Sequence, residues 1–271
     1  MDHDRQLATK TIYPIGDEAQ NANRRQIVLL HGFTQNSNVM APFGRLLANL
    51  TQRAVDVVDL PGHGGSADVN LNLSQTAALL AKTFARSIWV GYSLGGRILY
   101  HLAEIDPTKI DAMVLIGSNP GLADPEARLA RLRADRETAD RLAKIASRGE
   151  FMRFLTEWLA GPVFGGIDPA LANLAARLDN EPRALSKSLV GNSLGTQTDM
   201  TMHLANLDSP PLYLFGSRDA KFRAIATEMK AALGAHIEIA EIQGAGHYVL
   251  GEAPYRCASE TASFLARHQI E

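Results

Sequence analysis

The chain has 271 residues, 46% of them hydrophobic and 21% charged, a balance that excludes a disordered or fibrous protein. Lys and Arg number 27 against 29 Asp and Glu, so a formal charge of -2 leaves no global field to hold nucleic acid or an anionic membrane. Apolar runs such as Ala112 to Ile116 fall far short of the roughly 18 residues that span a bilayer.

The length suits two domains or one α/β domain with an inserted cap. The opening Met1-Asp2-His3-Asp4-Arg5 has neither a basic region followed by an apolar one nor a transit-peptide composition, which predicts a cytoplasmic location. The single cysteine, Cys257, has no partner for an internal disulfide and no zinc-spaced neighbours, and reads as an inert helix-packing thiol.

The first 24 residues are weakly patterned, with an edge strand expected around Thr11 to Ile15. Buried strands are expected at Ile27 to Leu30, Ala54 to Val58 and Ser87 to Val90, each closed by turn residues. Leu94, Ile98 and Leu102 share one helix face, and Asp106-Pro107 stops that helix. Further strands are expected at Ala112 to Ile116, Leu212 to Phe215 and Ile237 to Ile242. Strand and helix alternate, which predicts an α/β fold with a mostly parallel sheet flanked by helices.

One stretch breaks the alternation. From about Pro120 to Leu207 the periodicity is helical and punctuated by Gly161-Pro162 and Gly165-Gly166, which predicts an inserted cap between core segments 1–119 and 208–271. Arg131/Asp135, Glu137/Arg141 and Asp140/Lys144 are spaced to pair along its first helix.

Gly91-Tyr92-Ser93-Leu94-Gly95 fits G-x-S-x-G directly after a strand and at the start of a helix, where a sharp turn lifts a serine hydroxyl above the sheet. A serine needs an imidazole to take its proton and a carboxylate to orient that imidazole. Asp219 and His247 follow the two late strands in the order such a scaffold requires. Asp219 as a turn cap paired with Arg218 is the alternative. His31-Gly32-Phe33 follows the first strong strand, where the Phe33 amide can join that of Leu94 in an oxyanion hole. The Asp59 to Ser66 loop reads as scaffolding near the pocket, with His63 packed rather than catalytic.

Together LHGF, DLPGHGGS, GYSLGGR and the late Asp and His resemble the α/β-hydrolase superfamily over nearly the whole chain. Gly91 to Arg97, Asn119 to Leu122 with the Arg-rich helix after it, Trp158 before Pro162-Val163-Phe164, and Gly216 to Phe222 are similar to a narrower family, the 2-succinyl-6-hydroxy-2,4-cyclohexadiene-1-carboxylate (SHCHC) synthases of menaquinone biosynthesis. The resemblance implies a lyase: pyruvate is expelled from 2-succinyl-5-enolpyruvyl-6-hydroxy-3-cyclohexene-1-carboxylate, with Ser93, His247 and Asp219 as a general-base relay. The small-molecule substrate is a tricarboxylate, and no metal or organic cofactor is expected. The family's substrate contacts carry over to Tyr92, Arg97, Arg131, Trp158 and Arg177. Arg97 also lies four residues after Ser93, on the same helix face. For Arg131 a solvated pair with Asp135 is the alternative, and for Arg177 a surface role. Leu250 stands where the family often carries a second histidine, a change expected to touch packing more than chemistry.

Other functional classes remain open on these residues. A carboxylesterase, thioesterase or C–C bond hydrolase would use the same triad with water, and a binding protein would keep the pocket without turnover.

Overall fold

The computed structural model describes residues 6–16, 24–164, 167 and 171–270. The start of the chain and the Gly165-Gly166 punctuation lie outside the described residues.

A strand with apolar side chains at every position needs cover on both faces, because successive side chains point to opposite sides. β1 (Thr9–Ile12), β2 (Ile27–Leu30), β3 (Val55–Val58), β4 (Ser87–Tyr92), β5 (Ile110–Ile116), β6 (Leu212–Gly216) and β7 (Glu238–Ile242) form one sheet in the order β1-β3-β2-β4-β5-β6-β7. Only β1 is antiparallel, against β3; β2 pairs in parallel with β3 and β4, Ile27 opposite both Val55 and Ile88. Val28, Leu30, Trp89, Met113, Leu115 and Tyr213 pack on one side of the sheet, and Ile27, Leu29, Val90, Val114 and Leu214 on the other.

The helices covering these faces are α1 (Ser37–Thr51), α2 (Leu73–Thr83), α3 (Leu94–Ile105), α8 (Ala220–Leu233) and α10 (Pro254–Arg267). Residues of α2, α3 and α8 close the first core, and those of α1 and α10 close the second. Cys257 is fully buried in this second core, and burial raises its thiol pKa. Leu250, in the single turn α9 (Val249–Glu252), packs into the same core.

Between β5 and β6 the described residues form no strand. They build α4 (Pro125–Ala143), α5 (Arg148–Leu159), α6 (Leu174–Arg177) and α7 (Pro182–Gly191), with a small core of their own around Leu142, Phe151, Phe154, Leu155, Leu185 and Leu189. Asp124 caps α4 by accepting from the Glu126 and Ala127 amides, and Pro125 occupies the first turn, where its missing N–H costs nothing.

Two local expectations shift. β1 ends at Ile12, short of the expected Ile15, because Tyr13 is followed by Pro14, which has no N–H for a ladder, and Gly16 turns the chain with φ 89°. Arg131 does pair with Asp135 at 2.8 Å, whereas Arg141 reaches across to Glu157 of α5. Among the described residues no helix is long and apolar enough to cross a membrane.

Candidate active site

Parallel strands deliver their C-terminal ends to one edge of the sheet, and the loops leaving that edge hold ligands in open α/β folds. Phe33 follows β2, Ser93 follows β4, Gly117 follows β5, Asp219 follows β6 and His247 follows β7. Phe33, Ser93, Gly117 and His247 line a common cavity of about 110 Å³.

Ser93 sits between β4 and α3 with φ 49° and ψ -105°, a backbone conformation costly for a residue with a Cβ. The turn closes only because its neighbours lack side chains: a Cβ on Gly95 would stand 2.4 Å from the Leu30 carbonyl oxygen, and one on Gly91 2.6 Å from the Gly96 nitrogen. Leu94 is the first residue of α3, so its N–H has no acceptor within the helix.

His247 is 4% exposed, and its Nδ1 donates to Asp219 Oδ2 at 3.1 Å. That bond places the ring proton on Nδ1 and leaves Nε2 as the acceptor. The imidazole stacks on Phe222 at 4.6 Å between centroids, and Gly117 makes room for it, since a Cβ there would lie 3.2 Å from His247 Cε1. Asp219 also caps α8, accepting from the Phe222 amide at 3.2 Å. One carboxylate thus serves both roles, and Arg218 pairs with Glu252 instead. His63 is fully buried, its Nδ1 held by the Pro61 carbonyl, with its ring against His31 and Phe33.

The charge balance of the cavity is lopsided. Among the described residues lining it, Arg97, Arg131 and Lys221 are cations and none is an acid. Burial, then the nearby Arg131 guanidinium, lowers the pKa of Arg97. Burial and Arg131 likewise lower that of Lys221. Asp135, which pairs with Arg131, is buried and also accepts from Ser193 Oγ at 2.6 Å, while the Arg131 side chain is 35% exposed, so the pair is anchored at its acidic end and open to solvent at its basic end. Tyr92 and Trp158 line the cavity too, and the Tyr92 hydroxyl, Trp158 Nε1 and Arg97 Nη2 are buried without a partner among the described residues. Burial raises the Tyr92 pKa well above its usual value, so its hydroxyl stays protonated.

Arg177 departs from expectation. It is 1% exposed and is absent from the described lining of the cavity. Its Nε donates to the Ala172 carbonyl and its Nη1 to Thr34 Oγ1, both at 2.7 Å, and its guanidinium lies over the Tyr248 ring. The structure therefore places it neither on the surface nor in the cavity, but behind the loop that carries Phe33. Thr34 needs that support because its φ is 66°.

Sequence reasoning missed Lys221, Asn119, Ser188 and Asn192 as cavity residues. Lys221 carried a signal, two residues after Asp219 and hence on the first turn of α8. The other three are neutral residues outside any catalytic spacing. Among the described residues no group of three or more His, Cys, Asp and Glu is placed to hold a metal ion.

Comparison with known proteins agrees with this fold. A family model described as alpha/beta hydrolase family matches residues 27–260. The 2-succinyl-6-hydroxy-2,4-cyclohexadiene-1-carboxylate synthase of Escherichia coli O1:K1 / APEC is 33% identical over 247 residues, covering 88% of this chain and 93% of that one. The enzyme of the same name from Klebsiella pneumoniae (strain 342) is 34% identical over 248 residues, covering 89% and 93%. The solved structure of MenH from S. aureus superposes with a TM-score of 0.81 at 25% identity, over 96% of this chain and 98% of that one. The chain belongs to the alpha/beta hydrolase family and, within it, to the family of 2-succinyl-6-hydroxy-2,4-cyclohexadiene-1-carboxylate synthases.

Proposed function

We propose that the protein is a carbon–oxygen lyase of menaquinone biosynthesis, eliminating pyruvate from 2-succinyl-5-enolpyruvyl-6-hydroxy-3-cyclohexene-1-carboxylate to give 2-succinyl-6-hydroxy-2,4-cyclohexadiene-1-carboxylate. The observation that carries this reading is a cavity around Ser93 and His247 whose described lining holds Arg97, Lys221 and the Asp135-paired Arg131 and no acid. A substrate with three carboxylates matches that field, whereas a neutral ester has little use for it.

In this reading Asp219 holds His247 with Nδ1 protonated, and Nε2 takes the Ser93 hydroxyl proton as Ser93 takes one from ring carbon 2, next to the succinyl ketone. The charge that develops on the ketone oxygen is held by the Phe33 and Leu94 amides, where one such donor is worth about 10² to 10³ in turnover. The ring double bond then shifts and the bond from carbon 5 to the enolpyruvyl oxygen breaks. The proton held on the relay passes to the leaving group, which ketonises to pyruvate, and no water is consumed. Arg97, Arg131 and Lys221 hold the carboxylates, Tyr92 and Trp158 offer neutral donors, and residues 120–207 serve as the lid. A carboxylate bound by a charged fork is worth about 1.5 to 3 kcal/mol.

The test is pyruvate release, coupled to lactate dehydrogenase, from enzymatically prepared enolpyruvyl substrate with spontaneous loss subtracted. Wild type should release pyruvate, Ser93→Ala should lose at least about 10³ in kcat, and Arg97→Ala should raise KM about tenfold or more. No release above background together with Ser93-dependent ester or thioester hydrolysis would replace the lyase by a hydrolase.

A further inference from the structure

The two connections of the helical insertion run against each other. The Met200 amide donates to the Pro120 carbonyl and the Leu122 amide to the Gln197 carbonyl, each at 3.0 Å, and Gly121 is packed so tightly on Thr198 that any Cβ would collide with its backbone. Gln197 lies at this crossing, 2% exposed. Its Nε2 donates to the Pro120 carbonyl at 3.0 Å, which turns Oε1 the other way, to accept from Arg97 Nε at 2.8 Å. The Asn192 carbonyl takes Arg97 Nη1 at 2.7 Å. Both acceptors are neutral, so they orient the guanidinium without cancelling its charge. Nη2 is the nitrogen left over, buried and without a partner among the described residues.

We infer that Gln197 is a positioning residue: by gripping both Pro120 and Arg97 it holds the Arg97 guanidinium so that Nη2 meets a carboxylate of the ligand, and it makes that grip depend on the seating of the two insertion connections. A carboxylate at 197 would neutralise Arg97, and an apolar residue would release it to other rotamers, so an uncharged amide is the side chain that satisfies both neighbours. Segment 192–197 also holds the second arginine, since Ser193 anchors Asp135, which anchors Arg131. The inference rests on the lyase reading only for the identity of the anion.

The experiment is a double-mutant cycle of Gln197→Met with Arg97→Ala, read by KM for pyruvate release and by calorimetric titration of tricarballylate, a tricarboxylate that needs no turnover. Gln197→Met should weaken both about tenfold in the wild-type background, with kcat changed less than about threefold, and should have almost no further effect when Arg97 is already absent. Gln197→Glu keeps an acceptor for Nε but adds a charge, and should weaken tricarballylate binding more than Gln197→Met; it carries the cycle if the Met variant does not fold. An equal loss in both backgrounds would make Gln197 merely structural and overturn the positioning role while the lyase stands. An intact tricarballylate cycle without pyruvate release would overturn the lyase and leave the positioning role. Neither binding nor release by wild type would overturn both.

Discussion

The buried histidines His31 and His63 make stability acid-sensitive by an amount that can be worked out. Both are fully buried behind Phe33. Burial, partly offset by the Gly32 carbonyl, lowers His31 from 6.5 to about 4; burial and then the neighbouring His31 lower His63 from 6.5 to about 3. Both are therefore neutral in the folded chain at pH 5, while the unfolded chain protonates them below about 6.5. The unfolded state binds the extra protons, so stability falls as pH falls, by about 1.4 kcal/mol per pH unit for each histidine. Between pH 6.5 and 5 the pair removes on the order of 3 to 4 kcal/mol, a large part of a typical total of about 5 to 15 kcal/mol. His101, whose pKa burial also lowers, adds in the same direction. Urea unfolding at half-unit steps from pH 7 to 5 measures the slope, and the comparison is with His63→Gln. That variant should be less stable at pH 7, having lost packing, yet its slope should be shallower by about 1.4 kcal/mol per unit. An unchanged slope, or an NMR titration of folded His63 near 6.5, would refute the burial argument.

Three further outcomes follow from particular contacts. Gly95→Ala forces a Cβ to within 2.4 Å of the Leu30 carbonyl oxygen, and should cost at least about 1 to 3 kcal/mol in thermal unfolding and abolish labelling of Ser93 by a fluorophosphonate. Arg177→Met leaves Thr34 Oγ1 and the Ala172 carbonyl without their donor, and should lower stability by about 2 to 4 kcal/mol; a raised KM with unchanged stability would return Arg177 to the substrate. Lys221→Met should raise KM about tenfold and flatten its salt dependence, measured between 20 and about 500 mM salt; an unchanged KM would remove Lys221 from the site.

Most of the strand framework was legible because both faces of the sheet are covered, which demands continuous apolar runs such as Ile27 to Leu30, ended by turn residues. β1 was harder, since only Ile12 of its four residues is buried and an edge strand leaves little apolar signature. Ser93, Asp219 and His247 were legible as candidates because each lies on the turn after a strand, in a fixed chain order. Arg177 was placed by resemblance alone, and its side-chain direction depends on how α6 packs on the Phe33 loop, which no local pattern encodes. Gln197 and Asn192 carry no charge and sit in no motif, so only their contacts with Arg97 give them meaning.

The alternation of strand and helix, the sharp serine turn and the helical character of the insertion follow from side-chain periodicity and from glycines within a few residues of one another, both of which are local along the chain. Three-dimensional packing sets which cations share the cavity, ties Arg177 to Ala172 and Thr34, and lets Asp219 both cap α8 and orient His247. Such features join residues far apart in the chain, Arg97 with Gln197 and Thr34 with Arg177, and a hydrogen bond depends on distance and direction in space, which spacing along the chain does not record.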